Sequence, residues 1–282
     1  MAVRTAAVCI GDNCIDHYLP PIESRFVGGN ALNVAVHMHQ AGIPTAYIGA
    51  VGDDFEGEQT IQKLERRGID VSHLQVHPGK TSTTDILLTP DGERQFIHEY
   101  LGPRKTLELD PGTLDFIVQH DLAHNSWQGG TEEYLAYFKQ AKPLVSFDFG
   151  ERYSQDFLER TIQKVDLAFF STSEEEAKRV KEFASQIVEQ GPRLVVITMG
   201  HWGSLAYDGS FTFQSAFPAQ VLDTLGAGDT FIGVFLAHWM KKEPVQDCLQ
   251  AASQAAAHTC THYGAWENAA LDSQRRSEEV AR

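Results

Sequence analysis

LVSFDFGERYSQDFLERTIQKVDLAFFSTSEEEAKRVKEFASQIVEQGPRLVVIT, residues 144–198, holds three short apolar runs at 144–147, 167–170 and 194–198. Two stretches of helical period, 155–165 and 174–190, separate them. Short β-rich runs alternating with helical segments are the rhythm of βαβ units. The economical arrangement of such a series is a doubly wound, mostly parallel sheet flanked by helices. The same rhythm opens the chain, with strands predicted at 6–10 and 45–51 and helices at 31–40 and 56–67.

One section breaks it. Residues 83–88 and 94–100 flank the turn Thr89-Pro90-Asp91-Gly92-Glu93, which is a hairpin signal. The hairpin reads either as part of a small β-sheet lid or as an edge of the main sheet. Further on, 195–213 is β-rich with turns at Gly200, Gly203 and Asp208-Gly209, and helices are predicted at 226–242 and 245–263. The polar end of the chain, 271–282, reads as a tail on a single domain spanning 1–270.

Composition excludes several partners. The 282 residues are 42% hydrophobic and 22% charged, enough for one large core, and carry a formal net charge of −15. Nucleic acid would be repelled by that field, and no basic patch offsets it. No run of about 18 apolar residues is available to cross a membrane, and the start of the chain lacks a cleavage pattern, so the expected setting is the cytoplasm. Cys9, Cys14, Cys248 and Cys260 show no C-x-x-C spacing and are expected as reduced thiols. Three histidine pairs, His73/His77, His120/His124 and His258/His262, have the spacing of one helix face, with no third ligand beside them.

The most informative run is Asp223-Thr224-Leu225-Gly226-Ala227-Gly228-Asp229-Thr230-Phe231. Two glycines just before an amphipathic helix leave backbone N–H groups free at the positive end of a helix dipole, which is an anion cradle. Asp229 at its edge repels phosphate but can take a proton from a hydroxyl that approaches the phosphate. In-line phosphoryl transfer follows if residues 226–229 stabilise the moving group while Asp229 activates the acceptor; a glycine-rich helix start is the plainer alternative. Gly79-Lys80-Thr81 does not close a Walker A loop, because Leu74 stands where its first glycine belongs. The early strand is followed by Gly11-Asp12-Asn13-Cys14 and not by a dinucleotide fingerprint, so a nicotinamide-dependent oxidoreductase ranks last.

Residues 223–231 resemble the C-terminal signature of the ribokinase-like PfkB carbohydrate kinases, D-T-x-G-A-G-D-x-F, and Gly28-Gly29-Asn30-Ala31-Leu32-Asn33 resembles their substrate loop. The resemblance implies a ribokinase-like fold with a β lid built from segments around 12–30 and 83–101, ATP and Mg²⁺ as cofactors, and a homodimer formed through the lid. It makes Asp229 the catalytic base and Gly226, Ala227 and Gly228 the anion hole. Asp16, Gly28, Gly29 and Asn33 would bind the sugar. Thr198, Gly200 and Gly203, in a T-x-G-x-x-G turn, would meet the nucleotide together with Ser253, Gly226 and Gly228. Asp148 and Arg152 match a D-x-N-x-R stretch of the cleft. Glu176 would organise Mg²⁺ through water, although Ser173 replaces the asparagine of the family's N-x-x-E motif. A monovalent cation, K⁺, would lie among Asp223 and the carbonyls of Leu225, Thr259, His262 and Gly264.

The strings at 11–16, 28–36, 147–149 and 262–266 most resemble the branch of the family that phosphorylates fructoselysine at its C6 hydroxyl. That substrate carries a secondary ammonium, so an acid is expected at the pocket mouth, and Glu99 on the second hairpin strand is the candidate. Other ketoses, 2-keto-3-deoxygluconate or a nucleoside are the alternative acceptors. A catalytically silent sugar or nucleotide sensor is the alternative of another class.

Overall fold

In the computed structural model, which describes residues 6–88, 94–103, 107–174, 176–267 and 269–271, the alternation along each strand sets the layers. Strand β12 (Leu194–Thr198) sends Leu194 and Val196 to one apolar cluster and Val195 and Ile197 to another, as a period of two requires. It lies in an eight-stranded sheet of order β14-β13-β12-β11-β10-β9-β1-β4. The parallel members are β1 (Ala7–Ile10), β4 (Thr45–Ile48), β9 (Leu122–Ser126), β10 (Leu144–Asp148), β11 (Leu167–Ser171) and β12. Antiparallel β13 (Ser204–Tyr207) and β14 (Phe211–Gln214) close one edge.

Helices cover both faces. Residues of α1 (Asn30–Gln40), α7 (Ala227–Met240) and α8 (Val245–Thr259) fill the first cluster, joined by Leu64 of α2 (Phe55–Arg67). Residues of α3 (Pro111–Ile117), α4 (Leu135–Gln140), α5 (Gln155–Thr161) and α6 (Ala177–Val188) fill the second. This is the doubly wound sheet the sequence predicts. Ligands of such folds bind beyond the carboxyl ends of the strands, where the chain switches direction. Here four parallel strands end there in polar residues, Ser126 of β9, Asp148 of β10, Ser171 of β11 and Thr198 of β12.

The hairpin joins neither edge of the main sheet. Strands β7 (Thr83–Leu88) and β8 (Arg94–Tyr100) form a separate four-stranded sheet with β2 (Cys14–Tyr18) and β3 (Ser24–Gly28), in the order β3-β2-β7-β8. The hairpin turn at 89–93 lies outside the described residues. The strand expected at 45–51 divides at Gly49 into β4 and β5 (Ala50–Gly52), and β5 pairs with β6 (Gln75–His77). A Cβ at Gly49 would overlap the Tyr47 hydroxyl and the Gly11 carbonyl, so the residue at the division has to be glycine. The helix expected to reach residue 165 ends at Thr161 and tightens into a 3₁₀ turn. Of the tail at 271–282 only Leu271 is described; its N–H donates to the Arg25 carbonyl at 2.9 Å.

The histidine pairs do not share helix faces as their spacing predicts. His77 lies in β6 and His124 in β9, and only His258 and His262 approach each other, at the end of α8 with rings 5.9 Å apart. Among the described residues no cluster of three or more potential metal ligands forms. None of the described helices is long and apolar enough to cross a membrane.

Candidate active site

The site is built around the start of α7. Gly226, at φ 72°, is its N-cap, and a Cβ there would overlap the Cβ of Ala265. Only glycine allows both the left-handed backbone and that approach. No side chain among the described residues caps α7; Ala227 N donates to the Thr224 carbonyl at 3.3 Å, and the N–H groups of Gly228 and Asp229 face the open end of the helix, where an anion can bind. Gly228 is exposed, and a Cβ there would meet nothing within 4 Å. Its open side is room for a ligand.

Asp229, in the first turn of the helix, is half-buried at the rim of this cradle. Asn33 Nδ2 donates to Asp229 Oδ2 at 2.8 Å, and Trp266 Nε1 donates to Asn33 Oδ1 at 3.2 Å. Trp266 is buried at 2% exposure, and the Arg67 guanidinium stacks over it at 4.4 Å. The amide expected to grip a sugar therefore has both ends engaged by protein, and it fixes the orientation of the carboxylate. Burial raises the Asp229 carboxyl well above the ordinary range; the Asn33 bond opposes this, and the fields of Asp148, Asp12 and Asp16 add to it. A carboxylate so raised is a better proton acceptor near neutral pH.

The residues expected to bind the sugar lie near enough for the charge of Asp16 to act on Asp229. Asp16 is 4% exposed, and burial pushes its carboxyl up to about 7. A Cβ on Gly28 would overlap its Oδ2, and a Cβ on Gly29, at φ 116°, would overlap the Asn13 backbone, so both glycines are dictated by the loop. Asp12 was not expected here. Its carboxylate accepts from Asn30 N at 2.8 Å, from Ala31 N at 3.4 Å and from Ser126 Oγ at 2.9 Å, pinning the start of α1 and the glycine loop to β9. In the small sheet Asp16 pairs with Thr84, and Thr84 with Glu99. The three share one face, with Asp16 and Thr84 buried and Glu99 exposed at the outer end.

On the far side of Asp229 lies a cavity of about 180 Å³, bordered by Trp127, Asp148, Ser171, Thr198 and Gly228. Burial pushes the Asp148 carboxyl up to about 6, against the pull of the Gly150 N–H bonded to it. Thr198 Oγ1 and Ser171 Oγ are 2.9 Å apart. Gly203, at φ 111°, leaves no room for a Cβ against Gln214, whereas Gly200 is unobstructed. Trp127, missed in the sequence, packs its indole against Gly150, whose φ is 62°. Ser253 is buried on α8 and does not border this cavity. Arg152 is exposed beyond β10. Glu176 is exposed at the N-cap of α6, with Oε2 2.9 Å from Arg179 Nε. Asp148, Ser171 and Thr198 present oxygen donors to this cavity, the donor type that a hard divalent cation takes.

Asp223, expected beside a monovalent cation, has its carboxylate engaged by protein donors. Asp223, at 0% exposure, accepts from Leu225 N at 3.0 Å and from Gly264 N at 3.3 Å, and the Tyr18 hydroxyl donates to the same carboxylate. Three hydrogens thus point at the oxygens that would face the ion.

Comparison with known proteins shows the family. The "pfkB family carbohydrate kinase" profile matches residues 6–270. The chain belongs to that family. It is a carbohydrate kinase, and its relatives include the fructoselysine 6-kinase of Escherichia coli, 36% identical over 91% of this chain and 98% of the relative. A fructosamine kinase of Bacillus subtilis is 33% identical over 92% of each chain. Among solved structures, the ribokinase of Arabidopsis thaliana complexed with ribose and ATP superimposes with a TM-score of 0.81 at 21% identity, covering 93% of this chain and 95% of that one. The fold is therefore ribokinase-like.

Proposed function

We propose that this PfkB kinase transfers the γ-phosphoryl group of ATP to the C6 hydroxyl of fructoselysine, giving fructoselysine 6-phosphate and ADP. The observation that carries the chemistry is Asp229, held by Asn33 at the edge of an uncapped glycine cradle. The substrate reading rests on the 36% identity to fructoselysine 6-kinases over nearly their whole length. The row Asp16, Thr84, Glu99 supports it, since a sugar held at Asp16 would extend an ammonium-bearing arm along the row toward an exposed carboxylate.

In this reading Asp16 and the glycine loop hold the sugar, and Asp229 accepts the proton of the attacking hydroxyl. The N–H groups of Gly228 and Asp229 at the start of α7 take up charge on the transferred group, as preorganised dipoles do. Asp148, Thr198 and Ser171 would hold Mg²⁺, and Glu176, expected to organise the ion through water, stands at the N-cap of α6 paired with Arg179; the ion would supply neutralisation of the triphosphate charge. The turn at Gly200 and Gly203 and helix α8 near Ser253 would flank the nucleotide.

The outer strand β8 exposes Phe96, Ile97 and Tyr100, an apolar edge suited to a second copy of the chain, so a homodimer through the small sheet is part of the proposal. Four free cysteines, three of them buried, suit a cytoplasmic setting.

The test is ADP release with MgATP over a panel of fructoselysine, other fructosamines, fructose, ribose, adenosine and 2-keto-3-deoxygluconate. Preferred turnover of fructoselysine supports the assignment. Preferred turnover of another acceptor overturns the substrate and leaves Asp229 as the base.

A further inference from the structure

Asp223 ties together two loops that meet at the cradle. Its Oδ1 accepts from Leu225 N, which bends the chain into Gly226, while its Oδ2 accepts from Gly264 N, one residue before the Ala265 that packs against Gly226. Ala265 is held from behind as well, its carbonyl 2.9 Å from His37 Nε2. A carboxylate buried in that position needs a further donor or a cation to offset its charge.

The donor comes from the small sheet. Tyr18 lies on β2, two residues after Asp16, at 0% exposure, and its hydroxyl donates to Asp223 Oδ2. Its ring is set edge-on against Phe26 and Tyr263, with centroids 5.3 and 5.9 Å away, so the hydroxyl has little freedom to point elsewhere. The Arg94 guanidinium of β8 adds a positive field felt at both Tyr18 and Asp16.

We propose that Tyr18 is a positioning residue that holds Asp223, and through it the anion cradle, in place of a bound monovalent cation. The hydroxyl and the two N–H groups surround the carboxylate with donors, and an ion entering there would be repelled by those hydrogens. Because Tyr18 and Asp16 share a strand, ordering of the sugar-binding sheet and of the cradle are linked through one bond. The inference rests on the kinase reading of the cradle.

The experiment compares the full-length protein and Tyr18→Phe in KCl and in tetramethylammonium chloride, whose cation is too large for such a site. Melting temperature is read alongside kcat and KM on MgATP and the best acceptor of the panel. The wild type is expected to show the same melting temperature and turnover in both salts. Tyr18→Phe is expected to lose about tenfold or more in kcat, the worth of a hydrogen bond to a charged group, with KM for ATP within about twofold. A potassium-specific rise in the wild type's melting temperature or turnover overturns the proposal, as does a Tyr18→Phe variant that melts lower yet keeps the wild-type kcat. The wild-type melting series decides the point even if the variant does not fold or no acceptor on the panel is phosphorylated; the latter result counts against the substrate alone.

Discussion

Asn33 and Asp229, 196 positions apart, are joined by a 2.8 Å hydrogen bond that brings the helix following the glycine loop at 28–29 and the glycine turn before α7 to one carboxylate. The bond leaves Asp229 Oδ1 for the acceptor hydroxyl, and Trp266 keeps the Asn33 amide from flipping by occupying its oxygen. Replacing Asp229 by Asn keeps the shape and removes the proton acceptor. Turnover is expected to fall by about 10²–10⁴-fold, the usual contribution of a general base, while ATP affinity changes little. Calorimetric ATP titration beside steady-state assays checks both; unchanged turnover would remove Asp229 from the mechanism.

The two cradle glycines are expected to respond differently. At Gly226 the backbone is left-handed and a Cβ overlaps Ala265, so Gly226→Ala should destabilise the protein by more than about 1 kcal/mol and lower its melting temperature. At Gly228 a Cβ meets only open space. Gly228→Ala should fold with a near-native melting temperature and still lose most of its turnover, because the added methyl stands where the phosphoryl group would sit. If Gly228→Ala retained full activity, the cradle would not be the phosphate site.

Buried Asp148 predicts a pH signature in stability. Its folded-state pKa is raised from 3.8 to about 6 by burial, so the native state holds this proton more tightly than the unfolded chain. Below about pH 4 both states are protonated and the group has no effect. As pH rises toward 6 the carboxylate must ionise in a buried site, a cost that is complete above that pH and amounts to at most about 3 kcal/mol. Asp148→Asn keeps the acceptor for Gly150 N and removes the cost. The variant should be more stable than the wild type in urea at pH 8, with the difference shrinking toward pH 4. A difference that stays constant across that range would mean that Asp148 is not the titrating group.

What the sequence made legible follows from how local each signal is. The glycine turn before α7 and the glycine loop before α1 could be singled out because their glycines and acids are contiguous, and the strands at 144–147 and 194–198 could be read because both of their faces are buried. Asp12 was missed because its role exists only across space: it serves N–H groups 18 and 19 positions away and a serine 114 positions away, and nothing in Gly11-Asp12-Asn13 marks it. The engagement of Asn33 by Trp266 was hidden for the same reason. At Glu176 a local signal was available and pointed another way, since Arg179 stands three residues on, at helical pairing distance. The cation set around Asp223 matched residue by residue, yet Tyr18, the group that engages the carboxylate, lies 205 positions upstream.

Glu99 is where substrate choice can be tested most directly. The ladder places it two strands from Asp16 on the same face of the small sheet, which is roughly 10 Å at the usual strand spacing. A fructose ring held at Asp16 would not reach that far, whereas the lysine arm of fructoselysine would. An exposed ion pair is worth about 0.2–1 kcal/mol, and more when the approaching sugar excludes water. Glu99→Ala is therefore expected to raise KM for fructoselysine by about two- to tenfold with little change in kcat, and to leave KM for fructose where it was. Steady-state assays on the two acceptors measure the split. Equal effects on both would place the ammonium elsewhere along the cleft and take Glu99 out of the recognition of the arm.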